Sequence, residues 1–170
     1  MPSDPGVAPA SLTLRPARRA DVPLVLAFIR ELAEYERLAS EVVATEPLLD
    51  AALFGERAVA EAVIAELDGA PAGFALFFPS FSTFLARPGI YLEDLYVRPA
   101  ARGRGVGRAL LAHLARLAVE RGGGRLEWAV LNWNEPAIRF YETLGARRMT
   151  EWSVFRLTGE ALARLASDCE

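Results

Sequence analysis

Glycine and arginine alternate in the segment Arg102-Gly103-Arg104-Gly105-Val106-Gly107, and Arg108 follows it directly. A strand-like pattern precedes this segment and a helical pattern follows it. Glycine lets backbone N–H groups approach an anion closely. The first turn of a helix adds unpaired N–H groups and the positive end of the helix dipole. The segment therefore predicts a binding site for a diphosphate.

Two other glycine-loop motifs fit this segment less well. A nucleotide-hydrolase loop ends in Gly-Lys-Ser/Thr, whereas Gly107 is followed by Arg108 and Ala109. A dinucleotide fingerprint needs a third glycine three positions after the second, and that position is Arg108. A glycine turn with solvated arginines remains the alternative that involves no ligand.

Two adjacent carboxylates, Glu93 and Asp94, lie in the strand pattern before the loop. Strict alternation along a strand sends their side chains to opposite faces of the sheet. A carboxylate can hold an ammonium group and accept its proton, either directly or through a water molecule. The alternative for Glu93 is an ordinary solvated charge on a strand.

The remaining patterns predict the elements that position these residues. The predicted strands are 11–15, 58–67, 72–78, 90–97 and 126–131; the predicted helices are 22–38, one between Thr45 and Gly55, 106–121, 134–144 and a last one from Thr158 or Gly159. We predict an aromatic loop over 79–89 and a final hairpin or strand pair over 146–157. Hairpins mixed with strand-helix-strand units indicate an α/β fold whose sheet has antiparallel and parallel pairs.

Composition narrows the class of protein further. The chain has 170 residues and a net charge of −3, which fits one ordinary domain and argues against a dedicated nucleic-acid binder. No apolar run approaches the roughly 18 residues that a membrane helix needs. The single cysteine, Cys169, and the single histidine, His113, make a zinc site improbable and fit a cytoplasmic location. We expect a disordered leader at 1–10 and one domain at 11–170.

The glycine loop resembles the cofactor loop of the GNAT superfamily of acetyl-CoA-dependent N-acetyltransferases, Gln/Arg-x-x-Gly-x-Gly/Ala, and the resemblance extends from about Leu12 to Ala166. The segments 29–36, 91–94, 133–137 and 140–142 resemble the diamine (spermidine/spermine) and thialysine N-acetyltransferase branch. The resemblance implies a single-domain GNAT fold, with a mixed central sheet flanked by helices on both faces.

The resemblance also implies a role for each candidate residue. The implied cofactor-binding residues are Leu95, Tyr96 and Val97 through their main chain, Arg102, Gly103, Arg104, Gly105, Val106, Gly107 and Arg108 in the loop, and Asn134, Glu135, Pro136, Ala137 and Tyr141. Tyr141 would be the general acid, and Glu93 would bind the substrate and help to remove its proton. Tyr35 and Glu36 would also bind substrate.

Structural alternatives accompany several of these roles. Asn134 is equally well explained as a helix N-cap, Tyr141 as a core aromatic, and Tyr35 with Glu36 as a solvated helix end. A late glutamate of that branch has no residue in clean register here, since Glu151 is only close to its place. This departure leaves the substrate within the branch open.

The function implied by the resemblance is transfer of acetyl from acetyl-CoA to a primary amine of a small cationic substrate. The substrate would be a polyamine, a diamine, or a thialysine- or lysine-like amine, attacking directly in a ternary complex. The resemblance implies that the protein forms a homodimer, and it implies no metal ion. Two alternatives are a non-catalytic acyl-CoA-binding sensor domain and an acetyltransferase that acts on a protein amine.

Overall fold

The computed structural model describes residues 11–168, so the expected leader at 1–10 and Cys169 lie outside the described residues. The chain divides into two compact units, Met1–Ala129 and Val130–Glu170. The first unit contains the whole sheet. The second contains two helices and the segment that joins them.

The first unit is built around a five-stranded sheet. Its elements are β1 (Leu12–Pro16), α1 (Val22–Glu36), α2 (Glu46–Phe54), β2 (Glu61–Leu67), β3 (Ala70–Ser82), β4 (Arg87–Val97), α3 (Val106–Glu120) and β5 (Leu126–Trp128). The strands lie in the order β1-β2-β3-β4-β5. The first four pair antiparallel and β5 runs parallel to β4. The mixed α/β sheet is therefore confirmed.

The two faces of the sheet are covered by different helices. On one face, α1 and α2 pack on alternate strand residues that include Ile64, Phe74 and Tyr96. Residues of the other parity, such as Val63 and Ala75, are also buried and face the opposite side. Helix α3 packs against β1 to β4 and covers that side. Burial on both faces explains why β2 and β3 read as continuous apolar runs.

The predicted aromatic loop over 79–89 is wrong, because most of it extends β3 and β4 into a longer hairpin. Pro79 pairs with Ile90, and the hairpin turns over 83–86. Pairing with β2 ends at Phe77. The amide of Ile90 donates to Arg125, so the Pro79–Ile90 pair directs its backbone groups outward. The missing N–H of Pro79 therefore faces no neighbouring strand, which is where a strand tolerates proline.

One edge of β4 is unpaired where the strand approaches the glycine loop. Strand β5 is shorter than the predicted 126–131 and pairs only with Ile90–Leu92. Strand β4 continues to Val97, paired with β3 on its other side. Within the described sheet, the last residues of β4 thus present backbone groups to an open edge.

The second unit contains α4 (Glu135–Thr143) and α5 (Gly159–Ser167). The hairpin predicted over 146–157 is wrong, because these described residues contain turns and no strand. Their apolar side chains, including Trp152 and Phe155, are exposed. A strand-like pattern forms a strand only where a neighbouring edge supplies hydrogen-bond partners. Among the described residues no helix is long and apolar enough to cross a membrane.

Candidate active site

The glycine loop has the backbone geometry of an anion site. Gly103 and Gly105 have φ angles of +74° and +82°, which L side chains rarely adopt. A Cβ added at either position would meet nothing within 4 Å. Helix α3 begins at Val106, and Gly105 is its N-cap with no side chain capping the first turn. The loop therefore offers room and unsatisfied N–H groups to a diphosphate.

The register of β4 determines which backbone groups face its open edge. The amide of Arg98 donates to the carbonyl of Ala72 at 2.9 Å. In an antiparallel pair such bonding alternates along the strand. Asp94 and Tyr96 therefore direct their backbone groups toward β3, while Leu95 and Val97 direct theirs toward the open edge. An extended amide-containing ligand can pair with these groups as an added strand would.

The pantetheine arm and diphosphate of a coenzyme A fit this arrangement. The edge at Leu95 and Val97 suits the amides of the arm, and the loop over 102–108 suits the diphosphate. The cofactor role expected for the Tyr96 main chain does not fit this register, because its backbone groups face β3 and its ring is buried beside Phe28 in the core.

The four arginines around the loop are not equivalent. Arg98 forms a two-pronged ion pair with Glu31, with the shorter contact at 2.7 Å, and donates to Pro71. This guanidinium lowers the pKa of Glu31. Arg98 therefore fastens the end of β4 to α1.

Two loop arginines also contact the protein. Arg102 donates its Nε–H to the carbonyl of Val97 at 3.0 Å, and its guanidinium lies 4.7 Å from the centre of the Tyr35 ring. Arg104 pairs with Asp68 at 2.9 Å on the surface. Arg108 is exposed in the first turn of α3.

A β-bulge lies at the predicted carboxylates. Leu76 pairs with Asp94 and the next residue of β3, Phe77, pairs with Leu92, so Glu93 is an extra residue in β4. The argument that alternation sends Glu93 and Asp94 to opposite faces is therefore wrong, because a bulge interrupts alternation. The register instead places Asp94 on the face that α1 covers, together with Tyr96.

The carboxylates of this region form an acidic cluster with Glu36, at the end of α1. Glu93 is exposed, whereas Asp94 and Glu36 are partly buried. Burial, together with the charges of Glu93 and Glu36, raises the pKa of Asp94 to about 6. Burial also raises the pKa of Glu36. The cluster suits a cation, which would replace the lost water and relieve the repulsion.

Asp94 is a candidate site residue to which the sequence alone assigned no role. Alternation already places Asp94 on the same face as Tyr96, but its position relative to Leu92 and Glu93 depends on the bulge, and bulges have no reliable signal in a single sequence. The stacking of Arg102 on Tyr35 was also missed, because their proximity depends on where α1 ends relative to the loop.

The second unit contains the remaining predicted site residues. Asn134 is buried, and its side chain accepts a hydrogen bond from the Ala137 amide at 3.4 Å, as an N-cap does. Tyr141 is partly buried on α4, with its ring centre 5.5 Å from that of Phe140. Glu135 and Pro136 form the exposed first turn of α4.

Among the described residues, no group of three or more His, Cys, Asp or Glu side chains is arranged to hold a metal ion. His113 lies partly buried on α3.

The fold and the loop define the class as an α/β N-acetyltransferase, and comparisons with known proteins agree. The profile of the acetyltransferase (GNAT) family matches residues 27–146. This chain belongs to that family, and the matched range includes residues of both units.

Individual relatives narrow the similarity to one branch. The chain is 40% identical to a thialysine N-epsilon-acetyltransferase of Sus scrofa, over 92% of this chain and 98% of the relative. It is 34% identical to an L-ornithine N5-acetyltransferase of Arabidopsis thaliana, over 88% and 85% respectively. A solved integron cassette protein from the V. cholerae mobile metagenome is similar at a TM-score of 0.77 and 28% identity, covering 92% of this chain and 98% of its own.

The raised pKa of Asp94 has a measurable effect on stability. Because the folded carboxyl holds its proton to a higher pH than the unfolded one, the free energy of unfolding falls as pH rises from about 4 to about 6. We expect Asp94→Asn to raise the unfolding free energy by about 1–2 kcal/mol at pH 8 and to leave it unchanged below pH 4. Urea denaturation at both pH values measures this.

Glu93→Gln is the matched control for this prediction, since Glu93 is adjacent but exposed. Its effect at pH 8 should be the smaller of the two. Equal stability of Asp94→Asn and the native protein at both pH values would contradict the burial of an ionised Asp94.

Proposed function

We propose that this protein transfers acetyl from acetyl-CoA to a primary amine of a small cationic substrate. The observation that carries the proposal is the open edge of β4, which begins at the acidic cluster and leads into the glycine loop. One strand thus connects a site for a cation with a site for an amide-bearing diphosphate. The reaction needs those two ligands side by side.

The cofactor would lie along the end of β4. Its pantetheine amides would pair with the main chain of Leu95 and Val97. Its diphosphate would meet the N–H groups of the loop over 102–108 at the start of α3. The first turn of α4, from Asn134 to Ala137, would line the same arm.

The amine would occupy the acidic cluster. Glu36, Glu93 and Asp94 supply negative charge, and Tyr35 supplies an aromatic face that suits a cation. An alkylamine with a pKa of about 10 arrives as ammonium and must lose a proton before it attacks the thioester. A base with a pKa near neutrality is ionised at working pH and still able to take that proton.

We assign proton removal to Glu93 and Asp94 acting as one pair. Glu93 is exposed and meets the incoming ammonium, which it binds. Asp94 has the pKa of about 6 that suits an acceptor. The proton therefore passes to Asp94. The nitrogen lone pair then attacks the acetyl carbonyl directly in the ternary complex, the C–S bond breaks, and Tyr141 protonates the departing thiolate.

The substrate class is supported by the relatives. Their names specify thialysine and L-ornithine, both of which carry a primary amine on a short side chain. A thiol-release assay with acetyl-CoA and a panel of thialysine, ornithine, lysine and spermidine tests the proposal. Turnover of at least one of these amines is expected.

Two other outcomes of the panel favour the alternatives. Coenzyme A binding with no amine turned over would indicate a non-catalytic acyl-CoA sensor and overturn the proposal. Turnover of a lysine-containing peptide in preference to every free amine would indicate a protein substrate. The acidic cluster consists of three carboxylates within one unit, and this small size favours a small amine over a protein substrate.

Two further features of the proposal concern the whole protein. We propose a homodimer, which is supported by the several exposed large apolar side chains between α4 and α5, since such side chains suit an interface. Light scattering would report the assembled mass. A cytoplasmic location also remains a proposal.

The role of Tyr141 as general acid predicts the effect of removing one hydroxyl. Tyr141→Phe should lower kcat by about two orders of magnitude, because the thiolate would leave without a proton donor. The affinity for coenzyme A should stay close to that of the native enzyme, as measured by titration calorimetry.

Tyr91→Phe is the matched hydroxyl deletion, since the Tyr91 ring stacks on Phe78 at 5.3 Å and keeps that contact. It should retain the native kcat. A native rate for Tyr141→Phe would remove Tyr141 as the acid.

The carboxylate pair predicts a particular pH dependence. The kcat/KM for the amine should rise with pH through an apparent pKa of about 6 as Asp94 ionises. Asp94→Asn should abolish this rise. Glu93→Gln should move it to lower pH, because the negative charge of Glu93 helps to raise the pKa of Asp94. An unshifted rise in Asp94→Asn would assign the proton to Glu93 alone.

A further inference from the structure

Arg102 connects the two proposed ligand sites within the first unit. Its Nε–H donates to the carbonyl of Val97 at 3.0 Å. Its guanidinium lies 4.7 Å from the ring centre of Tyr35 and 5.9 Å from that of Tyr96. One planar cation therefore contacts the open edge of β4 and the ring at the end of α1.

Both partners of Arg102 belong to surfaces that the proposed ligands would use. The Val97 carbonyl faces the open edge, where the register leaves it available to a ligand amide. The Tyr35 ring faces the guanidinium at 4.7 Å, and it is the ring proposed to meet the cationic substrate. A guanidinium offers hydrogen-bond donors and a flat cationic surface. Its donor takes the place of a ligand amide at the Val97 carbonyl, and its charge takes the place of the cationic substrate at the Tyr35 ring.

The sequence position of Arg102 would also let its side chain contact a diphosphate bound in the glycine loop. Arg102 directly precedes Gly103, where an added Cβ would meet nothing within 4 Å, so the loop has open space beside it. A diphosphate in that loop would attract the guanidinium more strongly than a neutral ring does, because an arginine forms paired, charge-assisted hydrogen bonds with phosphate oxygens.

We propose that Arg102 is held between Val97 and Tyr35 in the absence of cofactor, and that coenzyme A displaces it from both when it binds. This inference rests on the proposed function. Displacement frees the Val97 carbonyl for the cofactor and the Tyr35 ring for the amine. Whichever ligand binds first separates Arg102 from Tyr35, so the second binds without that cost and the two bind cooperatively.

The strength of the contact sets the size of the effect. An exposed cation–π contact of this kind corresponds to a change in affinity of about two- to fivefold. Removing the Tyr35 ring should therefore tighten coenzyme A binding by about two- to fivefold, although Tyr35 lies outside the loop. A residue that merely touched the cofactor would weaken binding when removed.

Titration calorimetry with coenzyme A alone tests the proposal, since without an acetyl group or an amine no turnover occurs. We expect Tyr35→Leu to tighten binding and Tyr35→Phe, which keeps the ring, to bind like the native protein. Arg102→Gln removes the displaced cation. In the Arg102→Gln background, Tyr35→Leu should therefore produce no further tightening.

Several results would overturn the proposal. Unchanged or weaker binding by Tyr35→Leu would do so, and so would equal tightening in the presence and absence of Arg102. Thermal unfolding of each variant checks that the fold is intact. Native protein that binds no coenzyme A would remove the proposed function and this inference together. Normal binding that is insensitive to Tyr35 removes the inference alone.

Discussion

The site depends on the early end of β5 beside a longer β4. Parallel pairing stops at Leu92, and β4 continues to Val97 with a partner on one side only. Backbone N–H and C=O groups need hydrogen-bond partners wherever water is restricted. The open edge therefore favours an extended ligand with amides. The same strand leads into the glycine loop. The difference in length between β4 and β5 therefore places the open edge of β4 next to the start of α3.

Charge separates the two ends of this strand. The acidic cluster of Glu36, Glu93 and Asp94 lies before the open edge, and the loop with its arginines lies after it. Arg98 belongs to neither end, because Glu31 neutralises it. An ammonium and a diphosphate are thus attracted to positions a few residues apart along β4. This separation orients the two substrates before any side chain takes part in the chemistry.

The sequence predicted the elements that are determined locally. The glycine loop, the start of α3 and the Asn134 cap follow from residue type and spacing, and the structure confirms them. Pairing was harder to predict. Residues 79–89 were predicted to form a loop, and nothing in the sequence shows that β2 ends before them and leaves room for proline in a longer hairpin. The bulge at Glu93 is likewise a property of two strands together.

Asp94 shows a conflict between stability and function. Burial, together with the charges of Glu93 and Glu36, raises the pKa of this carboxyl to about 6, so its ionised form destabilises the folded protein at neutral pH. If stability alone mattered, an uncharged amide side chain in place of the Asp94 carboxyl would remove that repulsion. An enzyme that accepts a proton from an ammonium needs the carboxyl, and the arriving cation relieves the repulsion. The destabilised cluster thereby favours binding of the amine, and the conflict is itself an argument that the cluster is functional.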